Sequence, residues 1–302
     1  PPPSSVVLPG IIGGAMSSLA LVGSVSLNLP VPSVVLAVAN QKGGVGKTTT
    51  SVNLAACLAA VDKRVLLIDL DPQANATSGV GLEKTEGASA YRPLLGEGDL
   101  AEKIKRTAYD RLDLIPSEPD MCGAEIEISQ MENHVMRLRL ALQPIRDTGR
   151  YDFIIIDCPP ALGILTLNIF AAADWLLVPL QCEYYSLEGI SMISRVLSQI
   201  RDTGVNPNLA LLGVIMTMFD GRTRLAQQVV GEVRNHFDDQ VFETVIPRTT
   251  RLAEAPSFGQ PIIYYDKYSV GAAAYEVLAL EVLDRLEKLH AAQTPKSEPS
   301  DP

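Results

Sequence analysis

The chain has 302 residues, 47% of them hydrophobic and 20% charged, which is enough apolar material for one large core and too much for a disordered or fibrous protein. Its 25 basic and 35 acidic residues give a formal net charge of −10. That balance excludes a surface that is basic all over, as a general wrap for nucleic acid would be, and leaves room for a local basic patch. Four cysteines, Cys57, Cys122, Cys158 and Cys182, form no CxxC pair, so neither a disulfide framework nor a zinc or iron–sulfur site is expected, and a reducing cytoplasm fits best.

In chain order the first feature is residues 1–32, which contain no Asp, Glu, Lys, Arg or His. Val6 to Leu29 is apolar enough to raise a signal peptide or a membrane span. A basic start is missing, however, and Pro9, Gly10, Gly13, Gly14, Gly23 and five polar residues interrupt the run. A disordered or loosely packed extension is expected, with a peripheral membrane or partner contact as the alternative. From there, short runs rich in Val, Ile and Leu alternate with segments of helical period. The predicted strands are Val34–Ala39, Arg64–Asp69, Leu112–Ile115, Phe153–Asp157, Trp175–Leu180, Leu211–Met218, Val241–Ile246 and Pro261–Tyr264. Helices are predicted around Thr48–Ala60, Asn133–Arg146, Leu187–Asp202, Thr223–Phe237 and Gly271–Leu289. Continuous apolar strands between helices predict a doubly wound α/β fold, a mostly parallel sheet with helices on both faces. One domain is expected over 33–291, followed by a disordered Pro/Ser/acidic tail over 292–302. Sheets of this kind bind ligands at the carboxyl ends of their strands.

The first predicted strand runs into Lys42-Gly43-Gly44-Val45-Gly46-Lys47-Thr48-Thr49, and a helix follows. Glycines let backbone N–H groups approach phosphates, and a helix N-terminus presents its positive dipole end, so this is a phosphate-binding loop in the required strand–loop–helix context. The strict GxxxxGK[ST] pattern fails, because Gln41 stands where the first glycine belongs. Lys47 is expected on the β and γ phosphates, Thr48 on Mg²⁺, and Thr49 near the α-phosphate with the Gly44 and Gly46 amides. The strand Phe153–Asp157 closes on an acid, as a Walker B strand should, so Asp157 is expected to hold Mg²⁺ mainly through water. A second acidic strand end follows the loop's helix, with Asp69 and Asp71 on one side of the chain; Asp71 is the expected partner of the attacking water, and Asp69 is expected to be structural.

Residues Val34 to Leu286 resemble the ParA/Soj family of partition ATPases, within the deviant Walker A group that also contains the MinD proteins. The resemblance rests on KGGVGKTT with its signature lysine Lys42, DLDPQANATSG (Asp69 to Gly79) and IIIDCPPALGILTLN (Ile154 to Asn168). VPLQCEYYSLEG (Val178 to Gly189), TMFDGRT (Thr217 to Thr223) and IPRTTRLAEAPSFGQPI (Ile246 to Ile262) extend it. One departure is Ala74, where the family usually has glycine, and this is expected to stiffen the loop. The resemblance implies a P-loop ATPase that uses ATP and Mg²⁺, weak alone and stimulated by its partner. It further implies an ATP-dependent homodimer in which Lys42 reaches the partner subunit's phosphates, and a choice of adenine that the absence of an NKxD motif supports. Pro247 and Arg248, in a turn after a strand's carboxyl end, are expected beside the base.

Family resemblance also implies non-specific binding of double-stranded DNA by the ATP dimer, through Arg222 and Arg251 here, with Arg224 and Lys267 as weaker neighbours. A ParB/Spo0J-type centromere-binding protein is the implied partner, and chromosome or plasmid origins the implied cargo. Localisation is expected to be cytoplasmic, on the nucleoid. The alternatives are an orphan relative positioning another cargo and a MinD-like membrane-surface ATPase. The last predicted helix disfavours the second, since Glu276, Glu281, Asp284 and Glu287 outweigh Arg285 and Lys288 and no membrane partner is expected. The six acids between Asp113 and Glu132, without a Lys or Arg, form either a solvated face or a seat for a basic peptide. His134, His236 and His290 show no metal-ligand spacing; Trp175 is expected in the core, and Tyr184, Tyr185 and Glu188 are candidates for the dimer interface.

Overall fold

The computed structural model describes residues 33–183 and 195–293. Its frame is one eight-stranded sheet built from β1 (Val34–Val38), β2 (Val65–Asp69), β3 (Lys105–Arg106), β4 (Leu112–Ile115), β5 (Phe153–Asp157), β6 (Trp175–Gln181), β7 (Ala210–Phe219) and β8 (Val241–Pro247). Their spatial order is β3-β4-β2-β5-β1-β6-β7-β8, with only β3 antiparallel to its neighbour. The helices are α1 (Lys47–Ala60), α2 (Asn75–Gly79), α3 (Tyr91–Leu95), α4 (Met121–Ser129), α5 (Arg137–Asp147), α6 (Ile164–Ala172), α7 (described over 195–202), α8 (Arg224–Phe237), α9 (Thr250–Glu254), α10 (Ile262–Tyr265) and α11 (Val270–Gln293).

Strand alternation divides the core in two. On β1, Val35 and Ala37 join the cluster under α3 to α8, whereas Val34, Leu36 and Val38 join the one under α1, α2 and α9 to α11. Every residue of β1, β2 and β5 is buried, the pattern of central strands covered on both faces. Each fully buried Leu or Ile stabilises the fold by about 1.5–3 kcal/mol relative to exposure, so these strands fix which chain ends meet. Helices α1 and α11 pack side by side on one face of the sheet, and the C-terminus of α1 closes in a Schellman motif: Lys63 N bonds Leu58 O at 3.1 Å and Asp62 N bonds Ala59 O at 3.1 Å, with Asp62 left-handed at φ 66°.

The predicted strand Pro261–Tyr264 is instead the helical turn α10. Its four apolar residues carry no period that distinguishes the two, and the sheet offers no vacant edge there. The edge strand β8 has its Glu243 and Thr244 N–H groups taken by the Glu281 carboxylate of α11 at 2.6 and 3.0 Å, and its Glu243 carbonyl taken by Arg234 at 3.0 Å. The Ile262 N–H goes to Asn53 Oδ1 on α1 at 2.6 Å, and the turn closes through Tyr265 N to Pro261 O. At the opposite edge stands the unpredicted β3, two exposed residues long. Helix α5 starts at Arg137 rather than Asn133, because Asn133 is left-handed at φ 55° and belongs to a turn closed by Met136 N. Trp175 is only partly buried at the start of β6. The expected extension 1–32 lies outside the described residues, as do Tyr184, Tyr185 and Glu188; of the tail expected over 292–302, residues 292 and 293 belong to α11, which runs on to Gln293, and 294–302 lie outside the described residues.

Candidate nucleotide-binding site

The loop between β1 and α1 leaves the middle of the sheet, where β1 is flanked by β5 and β6. Asn40 anchors its start: Nδ2 donates to Pro179 O on β6 at 2.8 Å, and Oδ1 accepts the Lys42 N–H at 2.9 Å. Gly43 and Gly44 are exposed, while Val45 turns inward and is buried. Gly46, the N-cap of α1, is left-handed at φ 89°. A side chain there would have room, with Thr217 carbons 3.9 Å from a Cβ, so it is the backbone angle that requires glycine. The Thr217 hydroxyl of β7 donates to Val45 O at 2.8 Å and holds the loop from the other side.

Lys47 is buried, and its ammonium folds back to donate to Lys42 O at 3.2 Å. Burial lowers its pKa, although Asp157, Cys158 and Asp71 pull the other way. Thr48 and Thr49 sit half-buried on the first turn of α1. Lys42 points away from this group and pairs with Glu183 Oε2 at 3.2 Å just beyond β6, while Gln181 Nε2 binds the other oxygen of that carboxylate at 2.6 Å.

Two carboxylates face each other across β2 and β5, where Asp69 and Asp157 are register partners and both are fully buried. Asp157 Oδ1 accepts from the Ser51 hydroxyl at 2.8 Å; Oδ2 is buried with no partner of good hydrogen-bond geometry. Burial raises the Asp157 pKa and the Asp69 charge adds to the rise, against the pull of the Ser51 and Thr48 hydroxyls. Asp69 is raised too, mainly by burial. Asp71 is buried near the rim and accepts Gln73 N at 2.9 Å. Fully buried beside the Ser51 and Thr48 hydroxyls, with one carboxylate oxygen free of a hydrogen-bond partner, Asp157 has the hard oxygen chemistry that a divalent cation takes.

Other predicted residues stand further out along the same carboxyl edge. Pro247 ends β8 opposite Phe219 of β7, and the exposed Arg248 donates its N–H to Phe219 O at 2.9 Å. Arg222, in the loop after β7, is held by Asp220 through Nε at 2.8 Å and Nη2 at 2.7 Å. That pair, with Arg248 adding to it, holds the Asp220 carboxyl down to about 2. Arg251 on α9 pairs with Glu254 and Asp266, each at 3.2 Å, and stacks over Tyr265. Of the six acids from Asp113 to Glu132, three are engaged internally. Asp113 accepts from Arg150 and Tyr151, Glu118 is buried against Gly87 N and the Ser89 hydroxyl, and Glu127 accepts from Tyr91. Among the described residues no group of His, Cys, Asp and Glu has the makings of a separate metal site, and the four cysteines are free thiols.

Ser51, Glu183 and Thr217 were not singled out from sequence. Ser51 carried a signal, since it lies one helical turn beyond Lys47 and so shares its face. Glu183 and Thr217 carried none by themselves, because their partners Lys42 and Val45 lie 141 and 172 positions away.

A glycine-bent loop at the centre of a parallel sheet, with a buried lysine and strand-end carboxylates, defines a P-loop nucleotide-binding protein of the deviant Walker A type. An AAA domain family model matches residues 33–211. The chain is 48% identical over 264 residues to the chromosome partitioning protein ParA of Myxococcus xanthus, covering 87% of this chain and 90% of that one. With the sporulation initiation inhibitor protein Soj of Bacillus subtilis it shares 50% identity over 249 residues, 82% of this chain and 97% of the relative. A solved structure of a cobyrinic acid a,c-diamide synthase from Mycobacterium smegmatis, with bound ADP and magnesium, superposes with a TM-score of 0.74 at 35% identity over 88% of this chain and all of that one. This chain belongs to the ParA/Soj family of chromosome-partitioning ATPases.

Proposed function

We propose that the chain binds and hydrolyses Mg·ATP, dimerises when ATP is bound, and as that dimer binds double-stranded DNA without sequence preference, to segregate chromosome or plasmid origins with a ParB/Spo0J-type partner. The carrying observation is the convergence of Lys47, Thr48, Asp71 and the partnerless Asp157 Oδ2 at one edge of the sheet. The magnesium-bound neighbour from Mycobacterium smegmatis supports the same reading. The residues present fit Mg²⁺: Asp157 and Thr48 would hold it, and when bound it neutralises phosphate charge during transfer.

Every other part is played by the chain. The Gly43 to Thr49 backbone and the N-terminus of α1 bind phosphate oxygens, and Lys47 places its cation on the β and γ groups. Val45 and Gly46, pinned by Thr217, keep the loop shaped for that contact. Asp71 orients the attacking water or accepts its proton. Lys42 leaves Glu183 and reaches the partner subunit's phosphates, so that hydrolysis depends on assembly. Pro247 and Arg248 border the base. Arg222 and Arg251 contact DNA phosphates, which needs only local cations and is compatible with the overall negative charge. The working place is the cytoplasm, on the nucleoid. Net charge −2 on α11 opposes an anionic membrane, and no helix among the described residues is long and apolar enough to cross one.

Sedimentation velocity with and without ATP tests this reading. Wild type shifts to a dimer with ATP, and Lys42→Ala stays monomeric while still binding nucleotide; a Lys42→Ala chain that dimerises and hydrolyses normally would overturn it.

A further inference from the structure

The carboxylate of Asp69 does more than end a strand. Its Oδ1 accepts the Asp71 N–H at 3.1 Å, and its Oδ2 accepts both the N–H and the hydroxyl of Thr77, each at 2.8 Å. One buried group therefore clasps the two ends of the loop that carries Asp71. The Thr77 oxygen accepts in turn from the Ser117 N–H just after β4, at 3.0 Å, so the clasp is tied to the neighbouring strand. Both Asp69 and Thr77 are fully buried. Inside the loop Ala74 is left-handed, at φ 52° and ψ 43°, and caps α2. A residue with a Cβ resists that conformation, so the loop is held against its own preference and relies on what closes it.

We propose that Thr77 is a positioning residue for hydrolysis: through the Asp69 clasp it sets where Asp71 stands relative to the attacking water. This rests on Asp71 being the water-positioning acid. Thr77 lies on α2, outside the phosphate loop, so its loss spares nucleotide binding. Valine at this position keeps the shape of the side chain and removes two hydrogen bonds, leaving the Ser117 N–H without its acceptor. Displacing a reacting group by about 1 Å costs on the order of a hundredfold in rate.

The test is steady-state hydrolysis together with fluorescent-ATP binding for Thr77→Val, Thr77→Ser and Asp71→Ala. Thr77→Val is expected to lose about ten- to a hundredfold in kcat with nucleotide affinity held within about twofold, and Thr77→Ser to recover most of the rate. Adding Ala74→Gly to Thr77→Val is expected to restore part of it, because glycine takes the left-handed angle freely. Normal hydrolysis by Thr77→Val beside an inactive Asp71→Ala overturns the clasp alone. A normal Asp71→Ala overturns instead the role given to Asp71. Equal losses in Thr77→Val and Thr77→Ser, or affinity lost along with rate, reduce Thr77 to a structural part and also overturn the proposal. Hydrogen exchange on the unaltered chain gives a reading that needs no variant: the Asp71 and Thr77 amides are expected to exchange slowly and together, and a fast Asp71 amide beside a protected Thr77 amide overturns the clasp.

Discussion

At the nucleotide loop Lys47 and Asp157 are buried and incompletely paired, whereas Arg222 and Arg251 are exposed and already paired with nearby acids. The first region holds unsatisfied charge in a dry place, so a ligand that completes it gains a large interaction. The second holds cations that exchange one carboxylate for a phosphate in water, each exchange worth little. Tight binding is thus expected where the charge is hidden, and reversible binding where it is displayed.

Four measurements break or sharpen that contrast. The largest effect is expected for Asp71→Ala, which lowers kcat by about 10²–10⁴-fold with ATP affinity preserved, as a single-turnover assay reads out. Next, Lys47→Ala is expected to weaken Mg·ATP binding by about a hundredfold by titration calorimetry, since a buried charge-assisted contact is lost. At the exposed face, Arg222→Ala with Arg251→Ala lowers the salt slope of DNA binding by about two, one for each phosphate contact, while leaving DNA-free hydrolysis and melting temperature where they were. An unchanged slope removes both arginines from the DNA surface, and a fall in melting temperature shows that their local ion pairs matter more than their exposure suggests.

The smallest effect is one of pH. The Asp157 pKa is raised in the fold by burial and by Asp69. An acid whose folded value exceeds its unfolded value binds protons on folding, so its contribution is lost as pH rises through that window. A bound cation favours the deprotonated carboxylate, so it competes with that proton and binds better as pH rises. Scanning fluorimetry is therefore expected to show a larger Mg·ADP-induced rise in melting temperature at about pH 8 than at about pH 6, and equal rises place the metal elsewhere.

What was legible beforehand follows the same division. Apolar strands closing on Asp69 and Asp157, and glycines before Lys47, are local patterns, and the chain forms them as read. Ala74 takes a left-handed angle that a glycine would take without strain, a local feature that the loop's own sequence does not announce. Illegible were features decided by distant neighbours. Ile262 to Tyr265 coil because Asn53 and an occupied edge await them, and the carboxylate that receives Lys42 comes from just beyond a strand more than a hundred positions on. That Arg222 would sit against Asp220 was open to view two residues away, though a family likeness directs attention to DNA instead.

Both borders of the sheet are closed to further strands: one by the two charged residues of β3, the other by Glu281 and Arg234, which occupy the backbone of β8. Among the described residues neither border offers a template on which a second copy can stack in the manner of a fibre. Under the proposed function, self-association then falls to loops and helices, whose outlines bound nucleotide would redraw. On the proposed function the protein gathers and scatters repeatedly, and that arrangement serves it, because contacts made through such surfaces end when the small molecule changes, while a zipper of strands would persist.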